Sequence, residues 1–460
     1  MTLAPLISGA DLDAPIAWRA GAPIARRRYL ADVQALAAQL PAEGAMLNLS
    51  GDRYRFAVGL GAAMLRGQPN LMPPNHQRET VARLRSLMPQ AYALVDAGGG
   101  EVALPQVHYA DAADAADAAA PAAGQPPALP RAQLAAHVLT SGSTGQPVPH
   151  PKLWGPLVDC TVAGAQRLAE HLGRPDLEGL SLVATVPPQH MYGFESTVLI
   201  ALLGGAAFDA ERPFYPADIA AALARLPRPR MLVTTPFHLR MLLEAGIALP
   251  TVDLVLSATA PLSPQLAARA EAALHGQLVE IYGCTEAGQV ATRRTTDGPE
   301  WRTYAGLALS GDGEHSQVMG GHVVVPTPLA DILDVLEPSR FRLLGRSNDL
   351  INIAGKRNSL AHLNFHLNST PGVADGAFWL PADEAGEADG GVARLVAFVV
   401  APGLSQAALQ EAVLAGLRPR VDPVFLPRRI VAVPALPREP STGKLPAIAF
   451  GAWARRQLAG

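Results

Sequence analysis

Residues 140–152 read TSGSTGQPVPHPK, beginning with six consecutive hydroxyl or glycine residues: Thr140, Ser141, Gly142, Ser143, Thr144 and Gly145. Glycine permits close backbone approach and unusual dihedrals, so several main-chain N–H groups in such a turn can converge on an anion. The hydroxyls add further donors, and Lys152 stands at the end of the stretch. Phosphate is one ligand that fits; a plain surface turn is the other reading. The Gly-Lys-Ser/Thr ending of the common nucleotide loop is missing. A second stretch, EIYGCTEAG at 280–288, brings Tyr282 and Gly283 to the end of an apolar run, followed by Thr285 beside Glu286. A carboxylate there suits Mg²⁺, which takes one or two carboxylates plus substrate phosphates. A helix-start cap explains Thr-Glu equally well. Two more stretches follow, FRLLGRSNDLINIAGKRNS at 341–359 and LPREPSTGK ending at Lys444.

The elements that must carry these residues are legible as apolar runs. AMLNL from Ala45, AHVLT from Ala136, SLVATV from Ser181, MLVTT from Met231 and VDLVL from Val252 read as strands. Helical stretches at 54–66 and 264–274 lie among them, a rhythm that predicts α/β architecture with buried sheets. The alanine- and proline-rich segment 110–130 breaks the rhythm and reads as an exposed connection. Near residue 347 the character changes: VARLVAFVV, a helix from Ser405 and RIVAV make a small α+β unit of their own. The expected organisation is a large N-terminal domain, 1–347, of packed sheets and helices and a small mobile α+β domain, 348–460.

Composition narrows the class. Hydrophobic residues make up 49% and charged residues 17%, as in a globular chain, and the net charge of −3 gives no global basic field for nucleic acid. Two cysteines support neither a disulfide framework nor a metal cluster. The N-terminus lacks a signal-peptide pattern, and the longest apolar run, 198–208, is too short to span a bilayer. A cytoplasmic protein without membrane attachment is expected.

Taken in order, the four motifs resemble those of the acyl-adenylate-forming enzymes, which include acyl- and aryl-CoA synthetases and the adenylation domains of peptide synthetases. The resemblance runs from about Leu47 to Lys444. In that family an Asp stands fifteen residues before the Arg of Gly-Arg; here Asp331 stands fifteen before Arg346. The resemblance implies that 141–145 hold the β- and γ-phosphates of ATP, that Thr285 meets the α-phosphate and that Glu286 holds Mg²⁺. It places Asp331 on the ribose with Arg346 close by, and Ser257 and Ala258 beside the adenine and acyl sites. Lys444 would offset charge as the carboxylate attacks the α-phosphate. Asn348 stands at the family's pivot, where the small domain rotates for thioester formation. The family's loop lysine is replaced by Val148, and Lys152 is the candidate substitute.

The acid is read from VPPQHMYGFESTVLIALLGG at 186–205, where the family places a Pro-x-x-His segment beside the acyl pocket. His190, Tyr192 and Phe194 would flank a flat acid with the imidazole near its carboxylate, and Phe237 in TTPFHL would form the opposite wall; core packing is the other reading of Tyr192 and Phe194 at alternating spacing. The phrases QHMYGFE and LMPPN look like those of AMP-ligases from aryl-polyene and xanthomonadin pathways. That implies an aromatic carboxylic acid resembling a hydroxybenzoate or hydroxycinnamate, transferred to CoA or to the phosphopantetheine of an acyl carrier protein. A fatty acyl-AMP/acyl-ACP ligase and a noncatalytic nucleotide-binding relative are the alternatives. Either a monomer or a homodimer is compatible with the sequence.

Overall fold

The apolar runs become the central strands of two sheets. In the computed structural model, Pro15–Arg19, Ala207–Asp209, Ser181–Ala184, Arg230–Thr234, Leu254–Ser257 and Gln277–Cys284 lie side by side in that order and run parallel. Antiparallel strands Gly288–Arg294, Glu300–Thr303, Arg340–Arg346 and Asp331–Glu337 extend one edge, and Ala22–Ala25 closes the other, giving eleven strands. The structure describes residues 2–73, 75–96, 102–109, 126–141, 147–312, 315–346, 350–353, 356–381, 394–438 and 445–459.

Side chains on a strand alternate between its faces, and here the alternation feeds two cores. Leu182, Met231, Val233, Leu254, Leu256 and Val279 pack on one face with helices Arg26–Ala37, Arg53–Leu65 and Trp154–Leu172. Val183, Leu232, Val255 and Leu278 pack on the other with Pro216–Arg225, Pro236–Glu244 and Pro264–Leu274. These last three helices begin with proline, whose fixed φ suits the first turn, and Thr235 and Ser263 cap two of them through their side-chain oxygens. The chain leaves Ser181–Ala184 toward the first face and Arg230–Thr234 toward the second. A crevice therefore opens between the carboxyl ends of adjacent strands, where α/β sheets bind ligands.

The smaller sheet has the order Pro147–Leu153, Leu134–Ser141, Asn70–Met72, Met46–Asn48, Tyr92–Asp96, Gln106–Tyr109. Pro147, Pro149 and Pro151 alternate along its outermost strand; proline has no N–H to donate, which suits an edge position. The alanine-rich segment departs in part from expectation. Ala128–Pro130 is a strand paired with Leu3–Pro5, while 110–125 lies outside the described residues.

Beyond residue 350 a three-stranded sheet of Asp375–Trp379, Val396–Val400 and Arg429–Ala432 carries helices Leu360–Asn368, Gln406–Leu417 and Ala447–Ala459. It has its own apolar clusters, around Leu363, Phe378 and Leu409 and around Phe398 and Phe450. The boundary expected at 347/348 falls outside the described residues. Among the described residues, no helix is long and apolar enough to cross a membrane.

Candidate active site

The carboxyl ends of the parallel strands gather most of the residues singled out above. Gln277–Cys284 ends beside Thr285 and Glu286, which form a turn into the antiparallel strand Gly288–Arg294. A strand follows the turn, so Thr-Glu is not a helix cap. Gly283 is required where the two strands close: a Cβ there would stand 2.4 Å from the Gly288 carbonyl oxygen. The Glu286 side chain is half exposed, with His150 Nε2 3.9 Å from its carboxylate.

Lys152 is buried beneath that turn. Its ammonium donates to the Thr285 carbonyl and, at 3.1 Å, to the Glu286 carbonyl. His150 and Lys152 lie two apart on the proline-rich edge strand, so both reach the turn from one face. Lys152, a candidate for the missing loop lysine or for plain surface, is neither exposed nor unengaged: its ammonium lies on the carbonyls that carry Thr285 and Glu286.

Tyr282 joins the turn to Asp331, its hydroxyl donating to Oδ2 at 2.9 Å. Asp331 and Arg346 face each other across the antiparallel pair Asp331–Glu337 and Arg340–Arg346. Their fifteen-residue spacing is thus realised as cross-strand register. Thr140 and Ser141 end the strand Leu134–Ser141, opposite Val148 and Pro147, so the hairpin arms bracket 142–146. Gly142, Ser143, Thr144, Gly145, Asn348 and Lys444 lie outside the described residues.

The acid-side residues separate. His190 is exposed at the end of loop 185–190. The Tyr192 hydroxyl reaches into the crevice and donates to the carbonyls of Thr234 (3.1 Å) and Leu256 (2.9 Å). Phe194 lies instead fully buried in the first core. The chain here is helical, and two residues along a helix turn the side chain by about 200°. The pair therefore cannot share one wall as alternating strand residues would. Phe237 is half-buried, its ring edge-on to His238. Ser257 and Ala258 are both buried at the end of Leu254–Ser257, and the Ser257 hydroxyl has no hydrogen-bond partner among the described residues. The next residue, Thr259, has φ +78°, a strained conformation for a β-branched residue and one that marks functional sites.

Sequence reasoning missed Glu195. It sits in the π-helical turn Phe194–Leu199, a rare element frequently found at functional sites. Its carboxylate is buried, 3.5 Å from the Cys160 thiol, and accepts from the Gln289 main chain. Burial pushes this carboxyl up to about 7, against the attraction of the Lys152 ammonium. A single acid inside the apolar run GFESTVLIALL is the one signal that marks it.

Residues 44–315 match the family model described as AMP-binding enzyme. A 4-coumarate–CoA ligase of Rhodobacter capsulatus is 30% identical over 298 residues, 65% of this chain and 71% of that protein. ATP-bound MatB from Rhodopseudomonas palustris superposes with a TM-score of 0.74 at 18% identity, covering 98% of both chains. The o-succinylbenzoate CoA synthetase of Bacillus subtilis, solved with its acyl-adenylate intermediate, gives a TM-score of 0.73 at 18% identity and 97% coverage of both. The chain belongs to the AMP-binding enzyme family.

Proposed function

We propose that the protein is an AMP-forming acid–thiol ligase that activates a small aromatic carboxylic acid, such as a hydroxybenzoate. In the first half-reaction the carboxylate oxygen bonds to the α-phosphorus of ATP and pyrophosphate leaves. In the second, a thiol of CoA or of a carrier protein's phosphopantetheine attacks the acyl carbon and AMP leaves. The similarity to 4-coumarate–CoA ligases supports ATP-dependent activation, CoA as acceptor and an aromatic acid.

The observation that carries the reading is the convergence at one sheet edge. Lys152 fastens the Thr285–Glu286 turn, and Tyr282 ties the same turn to Asp331. Thr285 would meet the α-phosphate and Asp331 the ribose. The half-exposed Glu286 carboxylate, at an open strand end beside a hydroxyl residue, fits Mg²⁺. When bound, the cation would neutralise phosphate charge. His190 would orient the acid's carboxylate from the exposed end of its loop. Lys444, on the loop of 348–460, would arrive as carboxylate and phosphate anions are pressed together, and rotation about Asn348 would then admit the thiol.

Pyrophosphate release across a panel of hydroxybenzoates, hydroxycinnamates and fatty acids tests this reading. Aromatic acids are expected to turn over. Preference for fatty acids with a carrier protein would move the assignment to an acyl-ACP ligase, and silence across the panel would leave a nucleotide-binding relative. Lys444→Ala is expected to lower adenylate formation by about 10²–10³ while sparing thioester formation from supplied acyl-AMP. Equal loss in both half-reactions would refute the role given to Lys444.

A further inference from the structure

Arg53 begins helix Arg53–Leu65 directly after the Asp52 cap, in the run GDRYRF. It is 1% exposed, yet its side-chain hydrogen bonds all go to main-chain carbonyls. Nη1 donates to Asp209 and Glu211 at 2.9 Å each; Nη2 donates to Ala184 at 3.2 Å and Val186 at 2.8 Å. Its own N–H donates to the Ala210 carbonyl at 2.8 Å. Burial pushes Arg53 down to about 10, partly offset by the Asp209 carboxylate, which leaves it charged at neutral pH. Burying a guanidinium is costly unless its donors are used; here both Nη atoms are satisfied while Nε has no hydrogen-bond partner among the described residues, and the cation serves the carboxyl ends of two parallel strands.

Two of the four acceptors belong to the path that leads to His190. Pro187 and Pro188 follow Val186 and have no N–H, so this stretch supplies few donors to hold itself. The turn after them is tight. His190 N–H donates to the Pro187 carbonyl at 3.4 Å, and a Cβ on Gly193 would lie 2.0 Å from that oxygen. The turn is tied to the sheet at Thr185, whose N–H donates to the Val233 carbonyl at 3.1 Å, through the Tyr192 hydroxyl, and at Val186, which Arg53 holds.

The geometry points to Arg53 as a positioning residue for the acid-binding loop: its guanidinium fixes the Val186 carbonyl and, through the Pro187–Gly193 turn, the placement of His190. This rests on the acid-site reading given above. Arg53 is almost wholly buried and its bonds reach the path to His190 rather than the Thr285–Glu286 turn, so its removal should act on one substrate. In Arg53→Met, KM for the acid is expected to rise about tenfold while KM for ATP stays within about twofold, with Arg53→Lys in between. Amide exchange in the same proteins should quicken at 189–194 and stay unchanged in Leu254–Ser257. Equal rises in both KM values, unchanged exchange at 189–194, or exchange that quickens throughout would overturn the inference. Should Arg53→Met not fold, Arg53→Lys carries the same two readouts. If the wild-type chain releases no pyrophosphate from any acid, the acid-site reading fails, and exchange alone decides whether Arg53 holds the loop.

Discussion

Loop 185–193 and the Thr285–Glu286 turn leave the carboxyl ends of one sheet, yet different chemistry fastens them. The acid-side loop is held by Arg53, by the Tyr192 hydroxyl and by the Thr185 N–H, all donating to main-chain carbonyls. Around neutral pH none of these groups changes charge. The Thr285–Glu286 turn is held by the Lys152 ammonium, with the buried Glu195 carboxyl close enough to feel its charge and poised near 7. The bonds that fasten one shoulder of the site are indifferent to pH; beside the Lys152 fastening of the other lies a carboxyl that titrates in the physiological range, so it is this second fastening on which pH should act.

The largest expected effect comes from Lys152→Met. It removes two charged hydrogen bonds to carbonyls and strands Glu195 without its attracting cation, a loss of about 3–5 kcal/mol. KM for ATP should rise more than KM for the acid. Adding Glu195→Gln to this variant should recover part of the stability, which a double-mutant cycle in denaturant measures. Complete additivity would mean that the two groups do not interact.

Glu195→Gln alone probes the titration. The folded carboxyl is raised from its ordinary 4.5 to about 7, so between those values the folded state keeps a proton that the unfolded chain has released. Its favourable contribution is complete below about 4.5 and is lost as pH climbs to about 7, at up to about 3 kcal/mol. The variant should therefore gain on the wild type from pH 5 to pH 8 in urea midpoints. A flat difference would remove the pH asymmetry between the shoulders.

Legibility in the sequence followed range. The strands at 181–184 and 230–234 and the helix Pro264–Leu274 were readable because apolar periodicity and proline starts are local. Asp331 and Arg346 were legible only through the resemblance, as the family's fifteen-residue spacing, which the hairpin turns into opposition across strands. Arg53 and Glu195 were not. GDRYRF reads as a solvated helix start, and the carbonyls that bury Arg53 lie more than a hundred residues away. Glu195 acquires its character from Cys160, Lys152 and Gln289, which meet only in the fold. Tyr192 and Phe194 part company because the chain there is helical, which turns Phe194 into the core while the Tyr192 hydroxyl bonds to strand ends.

Tyr192→Phe tests the indifferent shoulder with the smallest change. It deletes one hydroxyl, leaves the ring, and frees the carbonyls of Thr234 and Leu256 at the mouth of the crevice. Losing the hydroxyl's bonds to these carbonyls costs about 1 kcal/mol. Burial holds the Tyr192 phenol well above its ordinary range, so it remains a neutral donor and the loss should be the same at pH 5 and pH 8. KM for the acid should rise while KM for ATP holds. A pH-dependent loss in this variant would mean that the charge at Glu195 reaches across the crevice, and the two shoulders would then be one coupled unit.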